Sequence, residues 1–168
     1  MHQAERTFRN IVEAYSSDLY RYAYFLCRDR HTAEDLVQET FTRAWRFLDG
    51  LRDASKAKSW LMTTLRREHA RLYERYRPQF DDLELDQIPG AGQTDPEVLA
   101  LREAVLALPL KYRDAVVLQL VGGFNGQEIA DILEVPRATV NTRLFRARKQ
   151  LREALDGGDA VTQGSGKT

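Results

Sequence analysis

The chain has 168 residues, of which 43% are hydrophobic, and its 25 basic and 25 acidic side chains leave a net charge of zero. Two small apolar cores, or one ordinary one, fit that composition without a metal or disulfide, and the lone Cys27 excludes a secreted disulfide framework. Zero net charge argues against indiscriminate coating of nucleic acid. No apolar run approaches the roughly 18 residues of a membrane span, so a cytosolic protein without membrane insertion is expected.

Apolar positions from Phe8 through Ile11, Val12, Tyr15, Leu19, Tyr22, Ala23 and Leu26 recur every three or four residues, which predicts an amphipathic helix ending near Asp29. Thr32 and Asp35 stand in capping-box relation and open a second helix, with Val37, Phe41, Trp45 and Leu48 as its buried stripe and Asp49-Gly50 as its stop. A third helix is expected from Ala57 to Tyr76, with Leu61, Leu65, Leu72 and Tyr76 on its apolar edge and Pro78 ending it.

From Phe80 to Thr94 an acid-rich stretch with Pro89, Gly90 and Gly92 has no sustained period and reads as a flexible linker. Asp95 then caps a helix with Pro96 at its first position, running to Leu108, and another helix spans Lys111 to Val121 before Gly122-Gly123. The expected class is therefore all-α, with two small helical domains at 1–79 and 95–156, the linker at 80–94, and a disordered tail at 157–168.

Asn125 and Glu128 form a second capping box, which starts a short helix through Ile129, Ala130 and Leu133. A turn at Glu134 to Pro136 leads into a longer helix from Arg137 to Leu155, whose inner edge is Val140, Leu144, Ala147 or Arg148, Leu151 and Leu155. Together they lay out a helix-turn-helix, with small Ala130 admitting the second helix and β-branched Val140 anchoring it. The turn's usual glycine is replaced by Glu134, at a cost of about 1 kcal/mol if φ is positive there. Outward on the second helix stand Arg137, Thr139, Asn141, Thr142, Arg143, Phe145, Arg146 and Lys149. Cations there bind phosphates, and Asn or Arg pairs with adenine or guanine edges in the major groove.

Charge along the chain is segregated. Residues 137–152 hold six bases and no acid, 51–80 hold eight bases against three acids, and 81–101 hold six acids and no base. The histidines, His2, His31 and His69, are scattered and Cys27 has no partner at ligand spacing, so no metal site, cofactor or nucleophile constellation is assembled. An enzyme is not expected.

The residues resemble the extracytoplasmic-function sigma factors of bacteria. The resemblance is carried by Ala33-Glu34-Asp35-Leu36-Val37-Gln38-Glu39-Thr40-Phe41, Ala44-Trp45 and Trp60-Leu61 in the first half. In the second half it is carried by Leu108-Pro109, Glu128-Ile129-Ala130, Val135-Pro136, Thr139-Val140 and Arg146-Ala147-Arg148. It implies a transcription initiation factor that binds core RNA polymerase and directs it to promoter DNA.

On that resemblance the first domain docks on polymerase and melts the minus-10 element, while the second reads the minus-35 element. Asp35, Gln38, Glu39, Thr42 and Arg46 form an outward polar face suited to the coiled coil of the β′ clamp, and the β flap is a further contact. Ser55, Lys56, Lys58, Trp60, Thr63, Thr64, Arg67 and Arg71, continued by Arg75, make a basic track beside an aromatic, as single strands require. An anti-sigma factor is the other partner the resemblance implies. Two rivals share part of this pattern. A stand-alone helix-turn-helix regulator has no use for the polar face or arginine stripe, and a decoy that sequesters an inhibitor need not keep six bases on its reading helix.

Overall fold

The computed structural model describes residues 2–76 and 95–164, and every regular element within them is helical. The first unit comprises α1 (His2–Cys27), α2 (Arg30–Arg46) and α3 (Ala54–Tyr76), with a 3-10 turn at Leu48–Leu51. The second comprises α4 (Pro96–Leu106), α5 (Leu110–Leu120), α6 (Gly126–Leu133) and α7 (Arg137–Gly164). The all-α class is as expected, while the linker at 80–94 and the side chains of Arg75 and Tyr76 lie outside the described residues.

Several boundaries differ from expectation for local reasons. α1 begins at His2 rather than Phe8, because Gln3 to Arg6 are competent helix formers and Phe8 finds partners of its own. Its ring meets Phe41 and Trp45 edge-on, with centroids 6.3 and 5.2 Å away. Arg28, at φ 60°, ends the helix in the left-handed region. The cap of α2 is Asp29, not Thr32: its carboxylate accepts the Thr32 N–H at 3.1 Å and the Thr32 hydroxyl at 2.5 Å, leaving Thr32 inside the first turn. These bonds, the hydroxyl's first, hold the Asp29 carboxyl below its ordinary range.

The buried stripe of α2 is also rotated. Ala33, Leu36, Thr40 and Ala44 are buried, Val37 and Phe41 sit at the margin of the core, and Trp45 is 48% exposed. Small Ala33 and Ala44 bring α2 close to α1, so the large rings are displaced to the rim. At the other end of the chain, α7 continues to Gly164, and the tail expected to be disordered from 157 is helical as far as it is described. Gly157 and Gly158 cost only about 1 kcal/mol each there, and no proline follows.

The two units share a single core. Its hub is α5, buried without a break from Tyr112 to Leu118 and surrounded by α1, α4, α6 and α7. A helix covered on all sides carries no polar face. Charged Arg113 and Asp114 are therefore buried too, and each is held by partners described below.

Candidate nucleic-acid and polymerase interfaces

The capping box that starts α6 forms as the spacing predicts: Asn125 Oδ1 accepts the Glu128 N–H at 2.9 Å and Glu128 Oε1 accepts the Asn125 N–H at 3.0 Å. Glu134 ends the helix at φ 57°, ψ 44°, the conformation in which the motif favours glycine, and the Val135 N–H donates to the Ala130 carbonyl at 3.1 Å. Ala130 and Val140 are both buried where the two helices cross. Along α7 the inner edge is Val140, Leu144, Ala147 and Leu151; Ala147 rather than Arg148 points inward, and Arg148 donates to Gln119 at 2.9 Å.

The eight residues expected on the reading face all reach solvent. Arg137, Asn141, Thr142, Phe145, Arg146 and Lys149 are exposed, and Thr139 and Arg143 are half-buried. Helical spacing sorts them into two strips. Asn141, Phe145 and Lys149 form a crest; Thr139, Thr142, Arg143 and Arg146 form a flank turned toward α5. Between that flank and α5 lies an open cleft of about 370 Å³ to which Lys111 and Tyr112 also contribute. The Arg146 guanidinium donates to the Tyr112 hydroxyl at 3.5 Å, and Lys111 Nζ stands 5.0 Å from the Tyr112 ring centroid. The Arg146 hydrogen bond, with the Lys111 and Arg146 charges, lowers the Tyr112 phenol below its ordinary range.

Sequence reading did not place Lys111 and Tyr112, which precede the motif, beside this face. The available signal was the polar run Lys111-Tyr112-Arg113-Asp114 ahead of the apolar stretch Ala115 to Leu118.

In the first unit, Asp35, Gln38, Glu39, Thr42 and Arg46 are all exposed on one face of α2, as expected for a docking surface. Glu39 is bridged to Arg43 at 3.1 Å, and Thr42 donates to the Gln38 carbonyl at 3.0 Å. The basic track on α3 is only partly assembled. Trp60, Thr63, Thr64, Arg67 and Arg71 share a face, whereas Lys58 points elsewhere. Ser55 donates its N–H and its hydroxyl to Asp53 Oδ1, at 3.0 and 2.6 Å, while Lys56 stands exposed. Trp60 is half-buried and stacks on Phe47 with ring centroids 5.3 Å apart and planes at 14°. The Thr63 hydroxyl is spent on the Ser59 carbonyl at 2.7 Å.

Four cations of α3 are engaged, Lys58, Arg66 and Arg67 by groups of the second unit and Arg71 within α3. Lys58 donates to the Gly122 carbonyl at 2.6 Å and pairs with Asp18 at 3.2 Å, Arg67 pairs with Glu134 at 2.5 Å, and Arg71 pairs with Glu68 at 3.3 Å. Deeper in the seam, Asp114 accepts the Tyr22 hydroxyl at 2.6 Å on one oxygen and the Arg66 guanidinium at 3.0 Å on the other. Burial first raises the Asp114 carboxyl above its ordinary range, with Tyr22 and Arg66 opposing it.

Arg113 donates to the Leu106, Leu108 and Leu26 carbonyls at 3.1, 3.1 and 3.2 Å. One buried guanidinium thereby closes the C-terminal ends of α1 and α4, in different units. Burial lowers its pKa to about 10.

Known proteins carry the same arrangement. Residues 11–79 match the Sigma-70 region 2 family and residues 99–151 match Sigma-70 region 4. The ECF RNA polymerase sigma factor SigM of Bacillus subtilis is 31% identical over 90% of this chain and 97% of its own. SigW of the same organism is 30% identical over 88% of each. Among solved structures, the sigma factor RpoE in complex with the anti-sigma factor NepR, from Bartonella quintana, superposes with a TM-score of 0.70 at 26% identity, covering 93% of this chain and 98% of RpoE. CnrH in complex with the cytosolic domain of CnrY gives 0.68 at 25% identity, covering 93% and 94%. Across both units and nearly its whole length, the chain belongs to the ECF RNA polymerase sigma factors.

Proposed function

We propose that this sigma factor binds core RNA polymerase through the polar face of α2 and directs it to promoters that α7 reads. The observation that carries the reading is the solvent-facing side of α7, where Arg137, Arg143, Arg146 and Lys149 form no ion pair among the described residues and Asn141 and Phe145 stand exposed. A decoy for an inhibitor has no need of that face, and a stand-alone regulator has no need of the five exposed residues on α2.

The minus-35 contacts fall on Arg137, Thr139, Asn141, Thr142, Arg143, Phe145, Arg146 and Lys149. The minus-10 contacts fall on Ser55, Lys56, Trp60, Thr63, Thr64, Arg67 and Arg71, with Lys58 joining them once it leaves Gly122. Polymerase docking falls on Asp35, Gln38, Glu39, Thr42 and Arg46, against the β′ clamp, with the β flap as a second contact. The RpoE and CnrH complexes support an anti-sigma factor as a further partner of this chain. Domain limits of 1–79 and 95–156, joined by the acidic segment, and a place in the cytoplasm complete the reading.

The closed chain does not fit both promoter elements at once. Elements about 25 base pairs apart are separated by roughly 85 Å, at about 3.4 Å per base pair. A compact chain of this length has a radius of gyration of about 15 Å. Polymerase therefore separates the units and holds each at its element, and linkage turns two weak sites into one strong one.

The test is the double variant Arg143→Ala and Arg146→Ala, assayed for core polymerase association and for promoter binding by the assembled holoenzyme. Association at the unmodified level with specific binding lost is the expected result. Loss of both together would contradict the division of labour between α2 and α7.

A further inference from the structure

We propose that the cleft between α5 and the flank of α7 is a seat for one backbone phosphate of duplex DNA, held by Lys111, Tyr112 and Arg146. It lies beside the bases that the crest of α7 reads. The proposal rests on the reading of α7 as the DNA-contacting helix and adds two residues from outside it.

Chemistry and geometry both favour an anion here. Lys111, Arg143 and Arg146 line one opening of about 370 Å³, and Thr139 and Tyr112 add two hydroxyls, while the Thr142 hydroxyl is donated to the Ala138 carbonyl at 3.0 Å. Among the described residues no acid lines the cleft. Among the described residues none of the three cations is in an ion pair, whereas Arg66, Arg67, Arg71 and Lys58 on α3 all are. The nearest carboxylate along α5, Asp114, has both oxygens taken by Tyr22 and Arg66. Asp114 attracts Arg143 from the side of α5, but three like charges around one opening still repel one another, and an anion there offsets that repulsion.

The ligand class follows from the neighbours. Asn141 and Phe145 are on the adjacent strip of the same helix, so a phosphate in the cleft belongs to the strand bordering the groove that α7 enters. Phosphate contacts set register, and base contacts set sequence. Lys111 and Tyr112 are thus positioning residues: they fix how deep and at what angle α7 lies, and leave the choice of bases to the crest.

The experiment uses the full chain and two duplexes, one recovered by selection from a random library and one with the same bases scrambled. Affinity is measured across a salt series for the unmodified protein, Lys111→Ala and Tyr112→Phe. Lys111→Ala is expected to weaken both duplexes alike, by about tenfold, as for one charge-assisted hydrogen bond. The slope of log affinity against log salt is expected to shrink by about one, the signature of one lost phosphate contact. Replacing phosphates one at a time by neutral methylphosphonates should reveal one linkage at which the unmodified protein loses affinity and Lys111→Ala loses no more.

An unchanged slope, or a loss confined to the selected duplex, overturns the phosphate assignment. Inorganic phosphate that binds the unmodified protein but not Lys111→Ala, and leaves DNA affinity unchanged at constant ionic strength, assigns the cleft to a free anion and overturns it as well. Asn141→Ala separates this from the underlying reading: it should alter preference between the duplexes without altering the slope. If the unmodified protein shows no preference at all, the base reading fails while the phosphate seat is still judged on its slope.

Discussion

Asp29 and Thr32 are both good capping residues, and the sequence pattern favours Thr32 because Asp35 follows it at the right spacing. The choice is made instead by where α1 stops: Arg28 at φ 60° aims Asp29 at the Thr32 N–H, a fact about one backbone angle that no side-chain pattern records. Asp29→Ala is expected to cost about 1 kcal/mol, or roughly 2–4 °C in melting temperature for a chain of this size. Thr32→Ala should cost less, since Asp29 keeps the backbone bond.

His69 supplies a pH prediction at the same scale. Its side chain is buried in α3, with Arg66 on its own helix and Arg113 of α5 as the charges acting on it, while Tyr22 of α1 and Asp114 of α5 complete the adjoining cluster. Burial first, then those two guanidinium charges, lower its pKa from 6.5 to about 4. The unfolded chain therefore takes up a proton below pH 6.5 that the folded chain refuses until about pH 4, so stability falls with acidification across that window, by up to roughly 3 kcal/mol. Thermal melts from pH 7 to pH 4 check it. His69→Gln should flatten the profile, and an unchanged profile would contradict the assignment.

Among the elements, the helix-turn-helix was legible almost residue by residue, because the capping box, the Ala130–Val140 crossing and the basic face all rest on contacts near in sequence. The turn behaves as its chemistry demands: Glu134 adopts the left-handed conformation with no glycine to ease it. Glu134→Gly should remove that strain and, after losing the exposed pair with Arg67, stabilise by roughly 0.5–1 kcal/mol, read as a higher melting temperature. α2 and α3 were less legible. The face that α2 buries depends on how closely Ala33 and Ala44 approach α1, and the partners of Lys58 and Arg67 lie far along the chain at Gly122 and Glu134. Periodicity reports that a helix has an inner face; it carries no information about which distant element covers the outer one.

At the scale of the whole molecule, the closed packing of the two units was not legible at all. Tyr22, Arg66 and Asp114 meet only in three dimensions, and the one visible hint was a charged Arg113-Asp114 pair just before the apolar run Ala115 to Leu118. The seam leaves the polar face of α2 and the basic face of α7 open and occupies Lys58, Arg66 and Arg67 of α3. On the function proposed above, polymerase and the minus-35 element would be met before those cations are released. Tyr22→Phe leaves a buried carboxylate short of one donor and should favour separation by about 1–3 kcal/mol. Two dyes, on exposed positions of α2 and α7, should report a longer distance in that variant than in the unmodified chain.

The most direct test is transcription itself, with core polymerase and a library of promoter templates, in the presence and absence of the protein. The account predicts transcripts from a defined subset of templates only when the protein is added, and their loss with the Arg143→Ala, Arg146→Ala variant. Folded protein that binds core polymerase and yet stimulates no template would contradict it.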